Sequence, residues 1–354
     1  MLALTGFNEL SYKILLYRGL ALGLKLGIIE ARGLTRIYDG LVAVDHINLD
    51  VEEGEIFGFL GPNGAGKTTT IKMLTTLLRP TEGEARICGY DVVRQPSQVR
   101  RVIGVVFQDP ALDDRLTGWE NLDFHARLYG MDRREREERI EEVLKLVGLR
   151  EWADELVENY SGGMKRRLEI ARGLIHRPRV LFLDEPTLGL DVQTRRAIWE
   201  YILALNRREE VTVFLTTHYM EEADYLSHRV AIIDRGRILA VDEPRNLKDM
   251  IGGDVVIVSC SDPRPLSEEL MRQDWVKEVK TRGSEISVYV DRGEKRIPEI
   301  VMIAEKLGVA VDSILLREPT LEDVYLKFTG RSIREEIADA VEKMRNIARR
   351  RMRR

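Results

Sequence analysis

The chain has 354 residues, enough for about two domains at ~150 residues each. Its 55 basic and 59 acidic residues leave a net charge of −4, which excludes the basic surplus of a dedicated nucleic-acid binder. Cys88 and Cys260 stand far apart with no C-x-x-C pair, so a disulfide scaffold and a structural zinc site are excluded and a reducing cytosol is the natural setting.

Residues 1–27 form a short apolar-basic leader with no assigned role. Its most apolar stretch is broken by Arg18 and Lys25, whereas a membrane-spanning helix needs ~20 largely apolar residues. From 28 to 250, β-type runs alternate with helical patterns, the rhythm of an α/β domain with a mostly parallel sheet. Strands are expected at 55–60, 102–107, 180–183, 212–216 and 230–234. A helix is expected at 135–147, where Ile140, Val143, Leu144 and Val147 recur at helical spacing.

The rhythm changes after Gly252 and Gly253. The expected order is strand 255–260, helix 265–273, strands 277–281 and 285–290, helix 297–307 and strand 311–316. This βαββαβ series predicts a small ferredoxin-like α+β domain over 251–330. Residues 331–354 read as a basic amphipathic helical tail, with Ile333, Ile337, Val341, Met344 and Ala348 on one stripe. Its acidic start and arginine-rich end suit a docked helix with a complemented macrodipole. The arginines also suit contact with anionic lipid.

Gly61, Pro62, Asn63, Gly64, Ala65, Gly66, Lys67 and Thr68 fit G-x-x-x-x-G-K-[ST] between an expected strand and a helix running from Thr69 to Leu77. Glycines let successive backbone N–H groups turn inward as an anion nest, and the helix start adds unpaired donors. Lys67 is expected to reach the β- and γ-phosphates of a nucleotide, and Thr68 to offer its hydroxyl to Mg²⁺. Downstream, the apolar run 180–183 ends in Asp184, the pattern that sets a carboxylate opposite such a loop to hold the metal. Glu185 follows at once and is placed to orient and deprotonate a water.

Tyr160-Ser161-Gly162-Gly163-Met164 opens a further amphipathic helix, a second anion-binding helix start in a chain whose phosphates already have a loop. With the run from Asp184 to Asp191 and with His218, these motifs resemble the ATP-binding subunits of ABC transporters. The resemblance is strongest to the drug-resistance branch typified by the daunorubicin/doxorubicin exporter ATPase, and it covers about 28–330. Many family members have Leu-Ser-Gly-Gly-Gln where this chain has Tyr-Ser-Gly-Gly-Met; the phosphate-contacting core is intact. The run 318–326, followed by Thr329 and Gly330, is similar to that branch's C-terminal motif.

The resemblance implies an α/β P-loop NTPase of ABC ATPase type that binds ATP and Mg²⁺. Tyr38 would stack on adenine. Gln108 would touch the metal and the attacking water, and His218 the γ-phosphate. Ser161, Gly162 and Gly163 would contact ATP held by the P-loop of a second copy in a homodimer, with Asp191 at the seam. The implied partner is a separately encoded integral-membrane permease, with the chain peripheral on the cytoplasmic face of the cell membrane and a hydrophobic or drug-like solute exported. No nucleic acid is expected. The alternatives are a soluble ATPase of this type acting on ribosomes or DNA, disfavoured by a single cassette without a coiled-coil insertion, and a binding module without turnover, disfavoured by Glu185 and His218.

Overall fold

The computed structural model of the chain describes residues 27–250, 253–317 and 319–329. The leader, apart from Gly27, and the tail over 331–354 lie outside the described residues. The chain divides into two units between Ala240 and Val241, ten residues ahead of the division read from sequence. The helix Pro244–Asp249 accounts for the offset, because it buries Leu247 and packs on the helix Leu321–Thr329 of the second unit.

In the first unit the strands run in the order β1 (Ile29–Tyr38), β2 (Leu41–Val51), β3 (Ile56–Leu60), β4 (Glu82–Ile87), β5 (Tyr90–Asp91), β6 (Ile103–Val106), β7 (Val180–Asp184), β8 (Thr212–Thr217), β9 (Arg229–Asp234) and β10 (Arg237–Asp242), the last two residues of β10 falling past the division. They form two sheets. A six-stranded sheet has the order β10-β9-β3-β8-β7-β6, with β9, β3, β8, β7 and β6 paired in parallel. A four-stranded sheet, β2-β1-β4-β5, is antiparallel.

Every residue of β3, β7 and β8 is buried. Such continuous burial, with apolar residues at the centre of each strand, is what a parallel strand covered on both faces requires. Successive side chains take opposite faces. Leu181, Leu183, Val213 and Leu215 join a core with the helices Gly118–Leu128, Arg133–Leu146, Gly162–Leu174 and Val192–Glu209. Val180, Phe182 and Phe214 join the other core, with the antiparallel sheet and the helix Lys67–Leu74. Phe57, Phe59 and Phe182 each meet the Phe214 ring at 5.5–5.7 Å between centroids. Each such contact is worth about 0.5–1.5 kcal/mol beyond its buried area. This double core fixes the carboxyl ends of β3, β7 and β8, where the loops that carry the site begin.

The second unit holds β11 (Asp254–Cys260), β12 (Val276–Arg282), β13 (Glu285–Val290) and β14 (Val311–Arg317) in one antiparallel sheet of order β12-β13-β11-β14. The helices Pro263–Leu270 and Gly293–Lys306 complete the βαββαβ series. Val256, Val258, Ile286, Val288 and Val290 pack against Leu266, Leu270, Ile300 and Ala304. The second helix starts at Gly293, whose N–H Asp254 accepts at 2.5 Å, and carries Pro298 inside it, so it begins four residues before the expected 297.

Candidate functional site

The loop leaving β3 turns over Gly64 and Gly66, at φ 83° and 105°. At Gly66 a side chain is also excluded by space, since a Cβ would lie 2.6 Å from the carbonyl of Ala43. The helix that follows begins at Lys67, two residues earlier than expected, and ends at Leu74, so Lys67 and Thr68 sit on its first turn. A cleft of about 360 Å³ opens here, lined by Asn63, Gly64, Gly66, Lys67, Thr68, Thr69, Gln108 and Glu185, together with Ala43 and Leu188. Pro62 and Ala65 are buried beneath it.

Lys67 is 5% exposed, and its ammonium donates to the carbonyls of Gly61 at 2.7 Å and Pro62 at 3.0 Å. It also lies 3.0 Å from Glu185 Oε1. His218 Nδ1 stands 2.7 Å from Glu185 Oε2, so both oxygens of this carboxylate are engaged. Burial alone would raise the Glu185 carboxyl. The His218 hydrogen bond and the Lys67 ammonium outweigh it and hold the group below the usual glutamate range.

Asp184, 1% exposed, accepts hydrogen bonds at Oδ1 from Thr216 at 2.5 Å and Thr68 at 3.3 Å. Thr216 was not among the residues singled out from sequence. Its hydroxyl also accepts the Glu185 N–H at 3.1 Å. That bond matters because Glu185 has a φ of 49°, a left-handed conformation that costs a non-glycine residue energy and needs holding. The parallel register sets Asp184 beside Thr216, so the pairing follows from sheet alignment. Glu222 was missed as well. It accepts from Thr187 at 2.7 Å and Trp199 at 2.8 Å, and burial pushes its carboxyl up.

The residues expected to serve a second copy lie apart from this cleft. Ser161 caps the helix Gly162–Leu174 by accepting the Met164 N–H, and Ser161 and Gly162 are exposed. Gly163 approaches the next helix so closely that a Cβ would come within 2.5 Å of Thr194 Cγ2. Asp191 caps that helix, accepting from the N–H groups of Gln193 and Thr194 and from the Thr194 hydroxyl at 2.6–3.0 Å. Tyr38 does not line the cleft either, and the Arg36 guanidinium covers one face of its ring at 4.5 Å. A larger hollow of about 1000 Å³ lies in the second unit, but charges of both signs line it, Arg245 and Arg292 with Asp254 and Glu294, without a phosphate loop.

A glycine-rich loop at a helix start, a buried lysine in it and two carboxylates at the end of β7, one strand removed from β3 in the sheet, define a P-loop NTPase. Comparison with known proteins gives the family. Residues 44–188 match the ABC transporter family, and residues 243–329 match the ATP-binding protein DrrA1-3-like C-terminal domain. The daunorubicin resistance ATP-binding protein DrrA2 of Streptomyces coeruleorubidus is 40% identical over 306 residues, 85% of this chain and 95% of that protein. The Nod factor export ATP-binding protein I of Cupriavidus metallidurans is 40% identical over 309 residues, 87% of this chain and 99% of that protein. Among solved structures, a dimeric ATP-binding cassette in a post-hydrolysis state with ADP and Pi matches with a TM-score of 0.55 at 29% identity, over 61% of this chain and 98% of that one. The chain belongs to the ABC transporter family as an ATP-binding subunit of the drug-resistance and export type, and it is an ATPase.

Proposed function

We propose that the chain hydrolyses ATP in a homodimer to drive a separately encoded membrane permease that exports a hydrophobic or drug-like solute. The contact of Glu185 with both Lys67 and His218 at the mouth of the phosphate loop carries the hydrolytic part. The names of the relatives, resistance to daunorubicin and export of Nod factor, support the direction and the kind of cargo. The chain would work at the inner face of the cell membrane by docking on the permease; among the described residues no helix is long and apolar enough to cross a membrane.

Thr68 and Gln108 line the cleft and the Asp184 carboxylate lies behind Thr68, accepting its hydroxyl, so these three would hold Mg²⁺ through oxygen, the donor type that ion takes. When bound, the ion would neutralise charge on the β- and γ-phosphates. On ATP entry the Lys67 ammonium leaves its carbonyls for those phosphates, while the loop N–H groups of 61–69 cradle them. Glu185 then accepts the proton of the attacking water, with His218 holding its carboxylate in place and contacting the γ-phosphate. Gln108 orients that water. Tyr38 stacks on adenine with its uncovered face. Ser161, Gly162 and Gly163 of one copy close over the ATP of the other, and Asp191 lies at the seam. Their position outside their own chain's cleft supports this composite arrangement.

Mixing tests it. Ser161→Arg and Lys67→Ala chains should each be inactive alone, because both sites of either dimer are damaged. A mixed dimer has one site with both lesions and one with neither, so activity should return on mixing. No recovery where mixed dimers demonstrably form overturns the composite site. Copurification with a multi-span membrane protein encoded by a neighbouring reading frame tests the permease.

A further inference from the structure

Five residues beyond Ser161, the same helix sends a charged pair into the interior. Arg166 and Glu169 are 8% and 3% exposed and lie 3.0 Å apart. The guanidinium donates from Nε to the carbonyl of Pro186 at 2.7 Å and from Nη2 to that of Asp184 at 3.1 Å. These two carbonyls flank Glu185. Its Nη1 also donates to the carbonyl of Phe107 at 2.7 Å, and Glu169 Oε1 accepts the Ala111 N–H at 2.7 Å. Those two groups bracket the segment that carries Gln108.

A buried ion pair is a costly way to fasten a helix, and apolar side chains of similar volume often do it as well. What an apolar pair cannot do is hold four main-chain groups at fixed positions. Here all four flank either the proposed base or the proposed water-orienting glutamine. Arginine suits the task, because its planar fork addresses several acceptors at once where lysine offers a point charge.

We propose that Arg166 and Glu169 are positioning residues that tie the Ser161 end of their helix to Gln108 and Glu185 of their own cleft, so that closure on one ATP sets the hydrolytic geometry at the other. The inference rests on the composite reading above. A helix is stiff over this distance, so a shift of Ser161 against the partner's nucleotide moves Arg166 with it. Displacing a catalytic group by about 1 Å can cost about 10²-fold in rate.

The test uses the full-length chain and two mild variants, Arg166→Lys and Glu169→Gln. The unaltered protein should hydrolyse ATP with a Hill coefficient above 1. Arg166→Lys should lower kcat by about 10–100-fold, leave KM within about threefold and bring the Hill coefficient to 1. Glu169→Gln retains the acceptor for Ala111 and should give a smaller loss in the same direction. In a Glu185→Gln background, Arg166→Lys should still form the ATP-dependent dimer seen by light scattering, because the Ser161 end is untouched. Normal turnover and cooperativity in both variants, or non-cooperative hydrolysis by the unaltered protein, overturns the inference. So does parallel loss of ATP binding, dimerisation and thermal stability, which marks a merely structural pair. If Glu185→Gln alone forms no dimer with ATP, the composite reading fails and takes this inference with it.

Discussion

The first unit and the second bury different things. Lys67, Arg139, Arg166, Glu169, Asp184, Glu185 and Glu222 are all less than a tenth exposed, and all precede Ala240. Among the described residues from Val241 onward, no charged side chain is buried. A charge removed from water costs several kcal/mol unless it is paired and hydrogen-bonded. The second unit avoids that cost with a purely apolar core on one face of its sheet. The first unit accepts it, and Lys67, Arg166, Glu169, Asp184, Glu185 and Glu222 gather around the carboxyl ends of β3, β7 and β8, whereas Arg139 ties the end of the helix Gly162–Leu174 by donating to the Leu174 carbonyl. Burial of charge therefore separates the unit that does chemistry from the one whose core only holds shape.

The sharpest way to break this contrast is at Glu185. Glu185→Gln keeps the volume and removes the base, so turnover should fall about 10²–10⁴-fold with ATP binding retained. Lys67→Ala removes positive charge from the phosphates instead, and calorimetry should show weakened ATP affinity. Steady-state hydrolysis by Glu185→Gln above about a tenth of the unaltered rate sinks the assignment.

Core lesions should separate the units next. Phe214→Ala removes the ring that three other phenylalanines meet, and should cost the first unit about 3–5 kcal/mol. Leu270→Ala should cost the second unit about 2–5 kcal/mol. Unfolding melts read together with ATP titration check both. The first variant should lose nucleotide binding on mild heating, whereas the second should retain affinity within about threefold. Loss of ATP binding in a folded Leu270→Ala protein would show that the second core supports the cleft.

How much of this was legible in the sequence depends on whether the needed residues are contiguous. The phosphate loop was readable because its glycines, Lys67 and Thr68 are consecutive, and Asp184 with Glu185 because a buried strand announces them. The βαββαβ order of the second unit was readable because strands such as 285–290 alternate apolar and polar residues, as one covered face demands. The antiparallel sheet of the first unit was not. β1 carries register shifts after Ala31, Leu34 and Arg36 that break alternation, and most of β4 is exposed. Thr216 shows its part only when parallel pairing sets it beside Asp184. Arg166 and Glu169 look in sequence like any i,i+3 pair on a solvated helix; only the fold turns them inward.

The smallest expected effect sharpens the contrast through histidine. All five histidines, His46, His125, His176, His218 and His228, lie in the first unit, and the chain has none after 240. The Tyr129 ring lies between two of them, stacked on His176 at 3.8 Å and edge-on to His125 at 5.3 Å. Burial, with Arg172 and the neighbouring imidazole adding to it, lowers His125 from the usual 6.5 to about 4. Burial is likewise the main cause at His176, also lowered to about 4, where the bond to the Ile103 carbonyl opposes it and Arg139 adds to it. A folded-state value below the unfolded one means that the unfolded chain takes up the protons first. The stability contributed by neutral rings is therefore present above pH 6.5 and lost as pH falls toward about 4. Allowing for partial exposure, the loss by pH 5 should be about 1 kcal/mol per ring. His46 acts the other way, since its hydrogen bond to Asp45 raises it, but it is fully exposed. Between pH 7.5 and 5 the melting of the first unit should shift down while that of the second stays level, and His125→Gln with His176→Gln should flatten the first slope. Equal slopes for both units, or a slope unchanged in the double variant, would remove the histidine pair from the account.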